Sequence, residues 1–233
     1  MISEAHPEDS SNSLRWIVGR AVSTAFVTAF ILGATGLLGV LGMGPTARAA
    51  DDPAITAVPR QLISDTADQI VAILADRETT SEVRIKQIEE IAYEIFDFTT
   101  MSKLVLARNW KKMDKQQRGE FVREFKRHLS RTYGTRLDRY DQEEVEVYGA
   151  QVEVRNDVSI KTRIVGGQFD DAEVAYRLRE RKEKWRIIDV VIEGVSLVSN
   201  YRSQFAEVLN SGSIDDLLAK LRDKNFVVDE GKS

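Results

Sequence analysis

After residue 50, the first half of the chain places apolar residues at helical spacing. The pattern predicts one helix after the Pro59 boundary, a second over 83–96, a third that starts at the candidate N-cap Thr99, and a long fourth that Asp114 caps. The buried stripe of the fourth helix is expected to contain Phe121, Phe125, Leu129, Thr132, Leu137 and Tyr140. This half is therefore predicted to be helical.

From Glu143 onward the apolar positions alternate with polar ones, which is typical of strands with one solvated face. Gly166 with Gly167, and the stretch 180–184, are predicted as hairpin connections. The inward positions of three strands are Val145 and Val147; Val158, Ile160, Thr162 and Ile164; and Val174, Tyr176 and Leu178.

The segment 185–205, WRIIDVVIEGVSLVSNYRSQF, is the most apolar stretch of this region. In its first part Ile188, Val190 and Ile192 share a parity, which predicts a fourth strand against a core. Glu193 and Gly194 then break the pattern. The apolar residues that follow, at spacings that suit a helix or turn packed on the sheet, are Val195, Leu197, Val198, Tyr201 and Phe205.

The order of these patterns predicts the fold class. We expect an α+β domain in which a curved antiparallel sheet of about four strands is covered on its apolar face by several helices. A last helix, 214–221, turns Leu217, Leu218 and Leu221 inward. A domain of this size has enough residues for one core and for a cavity between sheet and helices.

Residues 1–49 are predicted to form a secretory signal peptide. Arg15 and Arg20 precede the uncharged run 21–47, and Ala47-Arg48-Ala49 is a small-x-small cleavage pattern. An uncleaved anchor is the alternative, because about 20 apolar residues suffice to span a bilayer. In both cases the rest is exported, to the periplasm of a two-membrane envelope. We expect a single domain over 50–228 and a flexible tail over 229–233.

Composition narrows the classes of function. The chain of 233 residues has no cysteine, which excludes disulfides, thiolate catalysis and cysteine metal sites. A net charge of −4 argues against nucleic-acid binding. The fourth helix carries a basic face, which is either a solvated surface or a docking surface for an acidic partner: Arg118, Arg123, Lys126, Arg127, Arg131 and Arg139.

The sequence contains no convincing set of catalytic residues. His128 is the only histidine after the export segment and is expected to be partly buried or on the surface, so no metal site is predicted. A cone-shaped α+β hydrolase or isomerase using Asp189 or Glu193 is one alternative, although the parity of Asp189 indicates an outward or structural side chain. A membrane-tethered interaction domain with a fully packed core is another. The preferred interpretation is a protein without enzymatic activity or cofactor.

Four segments carry a resemblance to a known family: FDFTTMSKLVLARNW (96–110), the stretch 117–140, the segment 185–205, and DDLLAKLRDKN (215–225). In this order they resemble the MlaC (toluene-tolerance) family of periplasmic phospholipid-binding proteins. The resemblance implies a carrier that moves diacyl phospholipid between inner- and outer-membrane complexes and so maintains outer-membrane lipid asymmetry. The implied partners are an inner-membrane ABC transporter with an MCE-domain ring and an outer-membrane lipoprotein–porin assembly.

A lipid carrier requires an almost continuous apolar lining. Burying acyl chains is worth about 0.8 kcal/mol per CH₂, and a lipid that leaves a bilayer loses nearly as much. One unpaired polar group inside the cavity would cost ~1–3 kcal/mol, so polar groups belong at its mouth, where Arg202 is our candidate. The predicted lining consists of Val105, Phe121, Phe125, Leu129, Val158, Ile160, Val174, Tyr176, Ile188, Val190, Ile192, Val195, Leu197, Val198 and Tyr201.

Overall fold

A computed structural model of the chain describes residues 51–137 and 143–223. The predicted export segment and the tail lie outside these residues. The described residues form one compact unit of the predicted α+β class. Their helices are α1 (Pro53–Ala75), α2 (Ser81–Ile95), α3 (Phe98–Leu106), α4 (Lys115–Leu137), α5 (Leu197–Ser211) and α6 (Ile214–Arg222). Short 3₁₀ turns follow α3 (Ala107–Lys112), β1 (Val154–Asn156) and β2 (Gly167–Phe169).

The strands form one antiparallel sheet in which each pairs with its neighbours in chain order. They are β1 (Glu144–Val152), β2 (Val158–Val165), β3 (Glu173–Arg181), β4 (Lys184–Ile192) and the two-residue β5 (Val195–Ser196). The predicted sheet of about four strands is therefore confirmed, with a short fifth strand added at one edge.

The start of α1 differs from the prediction. The helix begins at Pro53, where the Asp52 carboxylate accepts a hydrogen bond from the Ala54 N–H at 3.0 Å. A proline in the first turn needs no N–H partner and has a helical φ, so Pro53 favours this start. Pro59, the predicted boundary, instead lies inside the helix and is buried. It removes one backbone hydrogen bond without ending α1.

The caps of α3 and α4 were predicted with different success. The N-cap of α3 is Asp97, whose Oδ1 accepts from the Thr100 N–H at 2.8 Å, so Thr99 was wrong. At the start of α4, Asp114 Oδ1 accepts from the Gln117 N–H at 2.8 Å, and Gln117 Oε1 accepts from the Asp114 N–H at 3.2 Å. This reciprocal pair is a capping box, and it confirms Asp114.

Two tight turns connect the last strands. Lys182 and Glu183 between β3 and β4 have φ of 52° and 61°, and Glu193 and Gly194 between β4 and β5 have φ of 50° and 80°. Two central residues with positive φ are typical of type I′ turns, whose twist matches that of the paired strands. The β2–β3 connection is longer than Gly166 and Gly167 alone, because it includes a 3₁₀ turn.

A β-bulge in β4 changes the predicted inward set. Arg177 pairs with Asp189, whereas Leu178 pairs with Ile187, so Ile188 is the extra residue. The prediction that Ile188 lies on the same face of the sheet as Val190 was therefore wrong, and Ile187 lies on that face instead. The pattern concealed this because Ile187 and Ile188 are both apolar and both almost fully buried.

The hydrophobic side chains pack in two clusters. The helical cluster is built on α3, α4, α5 and α6 and contains the buried residues Phe98, Met101, Val105, Leu106, Met113, Phe121, Phe125, Leu129, Val198, Tyr201, Phe205, Leu217, Leu218 and Leu221. The sheet cluster is built on the strands and α1 and contains the buried residues Ile63, Ala150, Val158, Ile160, Leu178, Ile187 and Val190.

Candidate functional site

The sheet cluster is covered less completely than the helical cluster. Among the described residues, ten half-buried apolar side chains pack against its seven buried ones, whereas the helical cluster has fourteen buried and nine half-buried. A cluster dominated by half-buried apolar residues presents apolar surface that the rest of the protein leaves uncovered. The ten are Ile55, Leu62, Ile95, Phe96, Val147, Val174, Tyr176, Trp185, Ile192 and Leu197.

The uncovered apolar surface includes the middle of the sheet. Helix α1 packs on β1 and β2, while α2, α3 and α5 contact β4. On β3 between them, Tyr176 keeps accessible surface, although its register neighbours Ile160 and Val190 are 0% and 7% exposed. Burial nevertheless raises the pKa of Tyr176 to about 12. The phenol therefore lies among protein atoms, although the Tyr176 side chain keeps some accessible surface.

A cleft of about 650 Å³ opens at one end of the sheet cluster. Its apolar residues Leu62, Ile95 and Trp185 also pack against that cluster, so the cleft borders the sheet cluster. The other residues that line it are Val58, Tyr93, Glu94, Glu183, Lys184 and Arg186. The arrangement is an apolar interior with both signs of charge at the rim, which suits an amphipathic ligand.

The structure divides the predicted lining between the two clusters. Seven predicted residues lie in or against the sheet cluster: Val158, Ile160, Val174, Tyr176, Val190, Ile192 and Leu197. Six lie in the helical cluster: Val105, Phe121, Phe125, Leu129, Val198 and Tyr201. Ile188 and Val195 belong to neither cluster, and Val195 is 52% exposed. The fifteen residues are thus not brought together around one space.

The helical cluster is closed by its aromatic rings. Phe125 and Tyr201 meet edge-to-face with centroids 5.2 Å apart, and Phe121 and Phe205 do so at 5.5 Å. All four side chains are fully buried. Such pairs contribute about 0.5–1.5 kcal/mol beyond the area that they bury. These rings form a packed core.

Sequence reasoning missed part of the sheet cluster. Leu62, Ile63 and Ile95 come from the helices predicted after Pro59 and over 83–96, and none of the three was included in the predicted lining. Trp185 was recognised only as the beginning of a strand. Their placement depends on tertiary packing, because an apolar stripe on a helix does not show which of the two clusters the helix contacts.

Arg202, the predicted mouth residue, binds the end of a helix. Its Nε donates a hydrogen bond to the Leu104 carbonyl at 2.9 Å, near the C-terminus of α3. Leu104 itself packs against the helical cluster. This contact ties α5 to α3 and gives no support to a role at the mouth.

Asp189 is a buried structural carboxylate, only 3% exposed. Its Oδ2 accepts from the Ser196 hydroxyl at 2.7 Å, and its Oδ1 accepts from the Val198 N–H at 3.0 Å, at the start of α5. Arg177 Nη2 lies 3.3 Å from Oδ2. Both oxygens are therefore engaged in holding β4 to α5.

Glu193 belongs to the turn between β4 and β5. Its Oε1 accepts a hydrogen bond from the Glu173 N–H at 2.5 Å. Neither carboxylate of the enzymatic alternative is paired with a histidine in the structure as described. Within residues 51–137 and 143–223, no group of three or more histidines or carboxylates is arranged to hold a metal ion.

His128 is more buried than the sequence predicted, at 4% exposure. Its Nε2 lies 3.0 Å from the Tyr201 hydroxyl. Burial, assisted by the nearby positive charge of Arg131, lowers its pKa to about 4. The imidazole is therefore neutral at pH 7 and is part of the helical cluster.

The basic face of α4 is used largely for internal contacts. Arg118 donates to the Trp110 carbonyl at 3.1 Å, and Arg131 donates to the Leu221 carbonyl at 3.3 Å. The Lys126 ammonium lies 3.1 Å from the centroid of the Tyr93 ring. Arg139 lies outside the described residues. These side chains connect α4 to its neighbours, so neither a purely solvated face nor a docking surface describes them fully.

The part of the chain that the structure describes contains no helix with the length and apolarity to cross a membrane.

Known proteins resemble this chain in fold and in sequence. A solved structure of the phospholipid-binding protein from Ralstonia solanacearum, in complex with a phospholipid, matches with a TM-score of 0.64 and 20% identity, over 71% of this chain and 96% of the other. The toluene tolerance protein ttg2D of Pseudomonas putida is 23% identical over 129 residues. That alignment covers 55% of this chain, and the chain spans only 60% of the relative's length. The sequence model described as "MlaC protein" matches residues 64–223, well over half of the chain, and the chain therefore belongs to the MlaC family.

Proposed function

We propose that this protein is a periplasmic phospholipid carrier, without enzymatic activity, that moves phospholipid between inner- and outer-membrane complexes. The observation that carries the proposal is the incompletely covered apolar face of the sheet cluster, which borders a cleft of about 650 Å³. An apolar space with a charged rim fits a ligand that has acyl chains and a polar headgroup.

The energetics of transfer favour such a face. Each CH₂ that moves from water to an apolar site gains about 0.8 kcal/mol, and a lipid in a bilayer already has that gain. A carrier therefore needs a site nearly as dry as the membrane, so that loading and unloading are both close to neutral. Side chains such as Val174, Ile192 and Leu197 supply apolar surface that the protein itself leaves partly uncovered.

The proposed set of lining residues differs from the set that the sequence alone predicted. It keeps the seven predicted residues of the sheet cluster and adds Leu62, Ile63, Ile95, Val147 and Trp185. The six predicted residues of the helical cluster are packed against one another and are left out. Their role in this proposal is to hold the helices that border the lining.

The related proteins support the ligand and the setting. The structural neighbour from Ralstonia solanacearum is a phospholipid-binding protein in complex with a phospholipid. We extend that ligand class to this chain. Membership of the MlaC family supports the periplasmic location and the proposed partners, which are an inner-membrane ABC transporter with an MCE-domain ring and an outer-membrane lipoprotein–porin assembly.

The alternatives have less support. The enzymatic one requires Asp189 or Glu193 to be free for chemistry, but both accept hydrogen bonds within the protein. A fully packed interaction domain is difficult to reconcile with the half-buried apolar residues of the sheet cluster.

Lipid transfer between vesicles tests the carrier function. Donor vesicles with a fluorescent phospholipid are mixed with unlabelled acceptor vesicles, and the rate of transfer is followed as protein is added. We expect the rate to rise in proportion to protein concentration. A folded protein that leaves the rate at its spontaneous value would contradict the proposal.

A further inference from the structure

The backbone fixes the two sides of the cleft relative to each other. The strand side is the beginning of β4, and β5 pairs with Val191 and Ile192 at the other end of that strand. The helix side includes the last turn of α2. The two sides meet where Phe96 bridges Ile187 and the Asp97 N–H donates to the Ile187 carbonyl at 2.9 Å. The last residues of α2 therefore face the first residues of β4 across the cleft.

The helix side of the cleft is negative. Glu94 lies in the last turn of α2, is exposed and lines the cleft. The C-terminal end of a helix carries partial negative charge, so a carboxylate is unfavourable there, and α2 has no basic residue in its last turn. In the part of the chain that the structure describes, Glu94 takes part in no ion pair. The carboxylate and the helix end together favour a cation at this position.

The strand side of the cleft is positive. Residues 181–186 cover the end of β3, the turn and the start of β4, and they include four basic residues and one acidic residue, Glu183, in a chain of net charge −4. Lys184 and Arg186 line the cleft, as does Glu183. Among the described residues, neither Lys184 nor Arg186 lies within ion-pair distance of a carboxylate. Charges of both signs thus border one cleft without pairing with each other.

We propose that the cleft binds the headgroup of a zwitterionic phospholipid, an inference that rests on the proposed function. The phosphate lies at Lys184 and Arg186, and the ammonium of an ethanolamine headgroup lies at Glu94. Each charge of the ligand then meets an opposite charge, whereas an anionic glycerol headgroup offers no cation to Glu94. The cleft volume of about 650 Å³ falls within the ~300–1,000 Å³ of small-molecule pockets.

The apolar residues of the cleft give the lipid its orientation. Leu62, Ile95 and Trp185 line the cleft and also pack against the sheet cluster. A headgroup held at the charged rim places the beginning of the acyl chains beside these side chains, and the chains extend from there along the sheet cluster. The charged part of the lipid stays in contact with water, so no unpaired charge is buried.

The test of the ammonium contact compares two lipids that differ only beyond the phosphate. Wild type, Glu94→Gln and the control Glu90→Gln are incubated with vesicles of equal parts phosphatidylethanolamine and phosphatidylglycerol with identical chains, and bound lipid is measured by mass spectrometry. Glu90 is exposed on the same helix but does not line the cleft. We expect wild type and Glu90→Gln to prefer phosphatidylethanolamine roughly threefold, the effect of one exposed ion pair. Glu94→Gln should bind both lipids equally.

Lys184→Gln tests the phosphate contact in the same experiment. Both lipids contain the phosphate, so this variant should take up roughly threefold less of each while keeping the wild-type ratio between them. Lys86→Gln, which removes an exposed positive charge from α2 outside the cleft, is the control and should keep the wild-type uptake. Unchanged uptake by Lys184→Gln would overturn the phosphate contact.

The outcomes separate this inference from the proposed function. Equal uptake of the two lipids by wild type, or a preference retained by Glu94→Gln, would overturn the headgroup site, while lipid binding itself would stand. A wild-type protein that takes up neither lipid would instead overturn the proposed function. If Glu94→Gln does not fold, the wild-type competition is repeated in about 0.5 M NaCl, which screens contacts between exposed charges. The preference should then largely disappear, and a preference that salt leaves unchanged would refute the site.

Discussion

Asp189 shows how one residue can be mistaken for a catalytic group. A cone-shaped α+β enzyme would use a carboxylate on an apolar strand as its acid or base. Asp189, however, accepts hydrogen bonds from Ser196 and Val198 and faces Arg177. We expect Asp189→Asn to destabilise the protein by about 2–3 kcal/mol, because it leaves a partly buried Arg177 without its charged partner. Denaturant unfolding measures this.

The control for this substitution is Asp171→Asn. Asp171 is exposed and lies 3.7 Å from Arg163, so its loss should change stability by less than about 0.5 kcal/mol. Lipid uptake should be unchanged in both variants under conditions where they are folded. An Asp189→Asn protein of normal stability that loses a hydrolytic activity present in wild type would restore the enzymatic alternative.

His128 makes stability depend on pH. Its folded-state pKa of about 4 lies below the usual value near 6.5, so the unfolded chain binds the extra proton first as the pH falls. Its contribution is fully present above pH 6.5 and is lost progressively toward pH 4. We expect a loss on the order of 1–3 kcal/mol over this window, measured by urea unfolding. A His128→Gln variant should lose clearly less over the same window; an identical pH dependence would show that another group is responsible.

At the scale of elements, the sheet face and its edge should respond differently to charge. Val174 on the central strand β3 is half-buried against the sheet cluster, whereas Val195 on the edge strand β5 is 52% exposed. A glutamate at position 174 would bring a charge among apolar neighbours, so we expect Val174→Glu to reduce bound phospholipid at least several-fold.

Val195→Glu is the matched control and should retain lipid close to the wild-type level. Extraction and quantification of bound lipid from both purified variants, after circular dichroism has shown that each is folded, makes the comparison. Equal retention by the two variants would show that the lining lies elsewhere in the protein.

The elements themselves could be predicted well, and their assignment to a site could not. Period-two alternation identified β2 and β3, and the Asp114 cap of α4 is confirmed, because these signals are local. The start of α1 was missed because proline is tolerated inside a helix at the cost of one hydrogen bond. The bulge at Ile188 was missed because consecutive apolar residues carry no parity.

The lining residues were also assigned with limited success, because the sequence does not show which of the two clusters an apolar residue joins. Phe121 and Phe125 have the spacing and character of cavity residues, but four aromatic rings in mutual contact fill their own space. Tyr176 has the same character in sequence and yet packs against the sheet cluster and keeps accessible surface. Only the packing of helices on the sheet separates the two cases.

In the molecule as a whole, the two clusters have different roles in stability and ligand binding. The helical cluster joins α3, α4, α5 and α6 into a closed core that supplies stability independently of a ligand. The sheet cluster leaves apolar surface uncovered, which lowers the stability of the empty protein and makes a ligand favourable.

The most direct measurement is native mass spectrometry of protein purified from the periplasm. We expect species heavier than the polypeptide by the mass of a diacyl phospholipid, which is released when the protein is denatured. A protein that carries only its polypeptide mass, and that acquires no lipid when incubated with phospholipid vesicles, would contradict it.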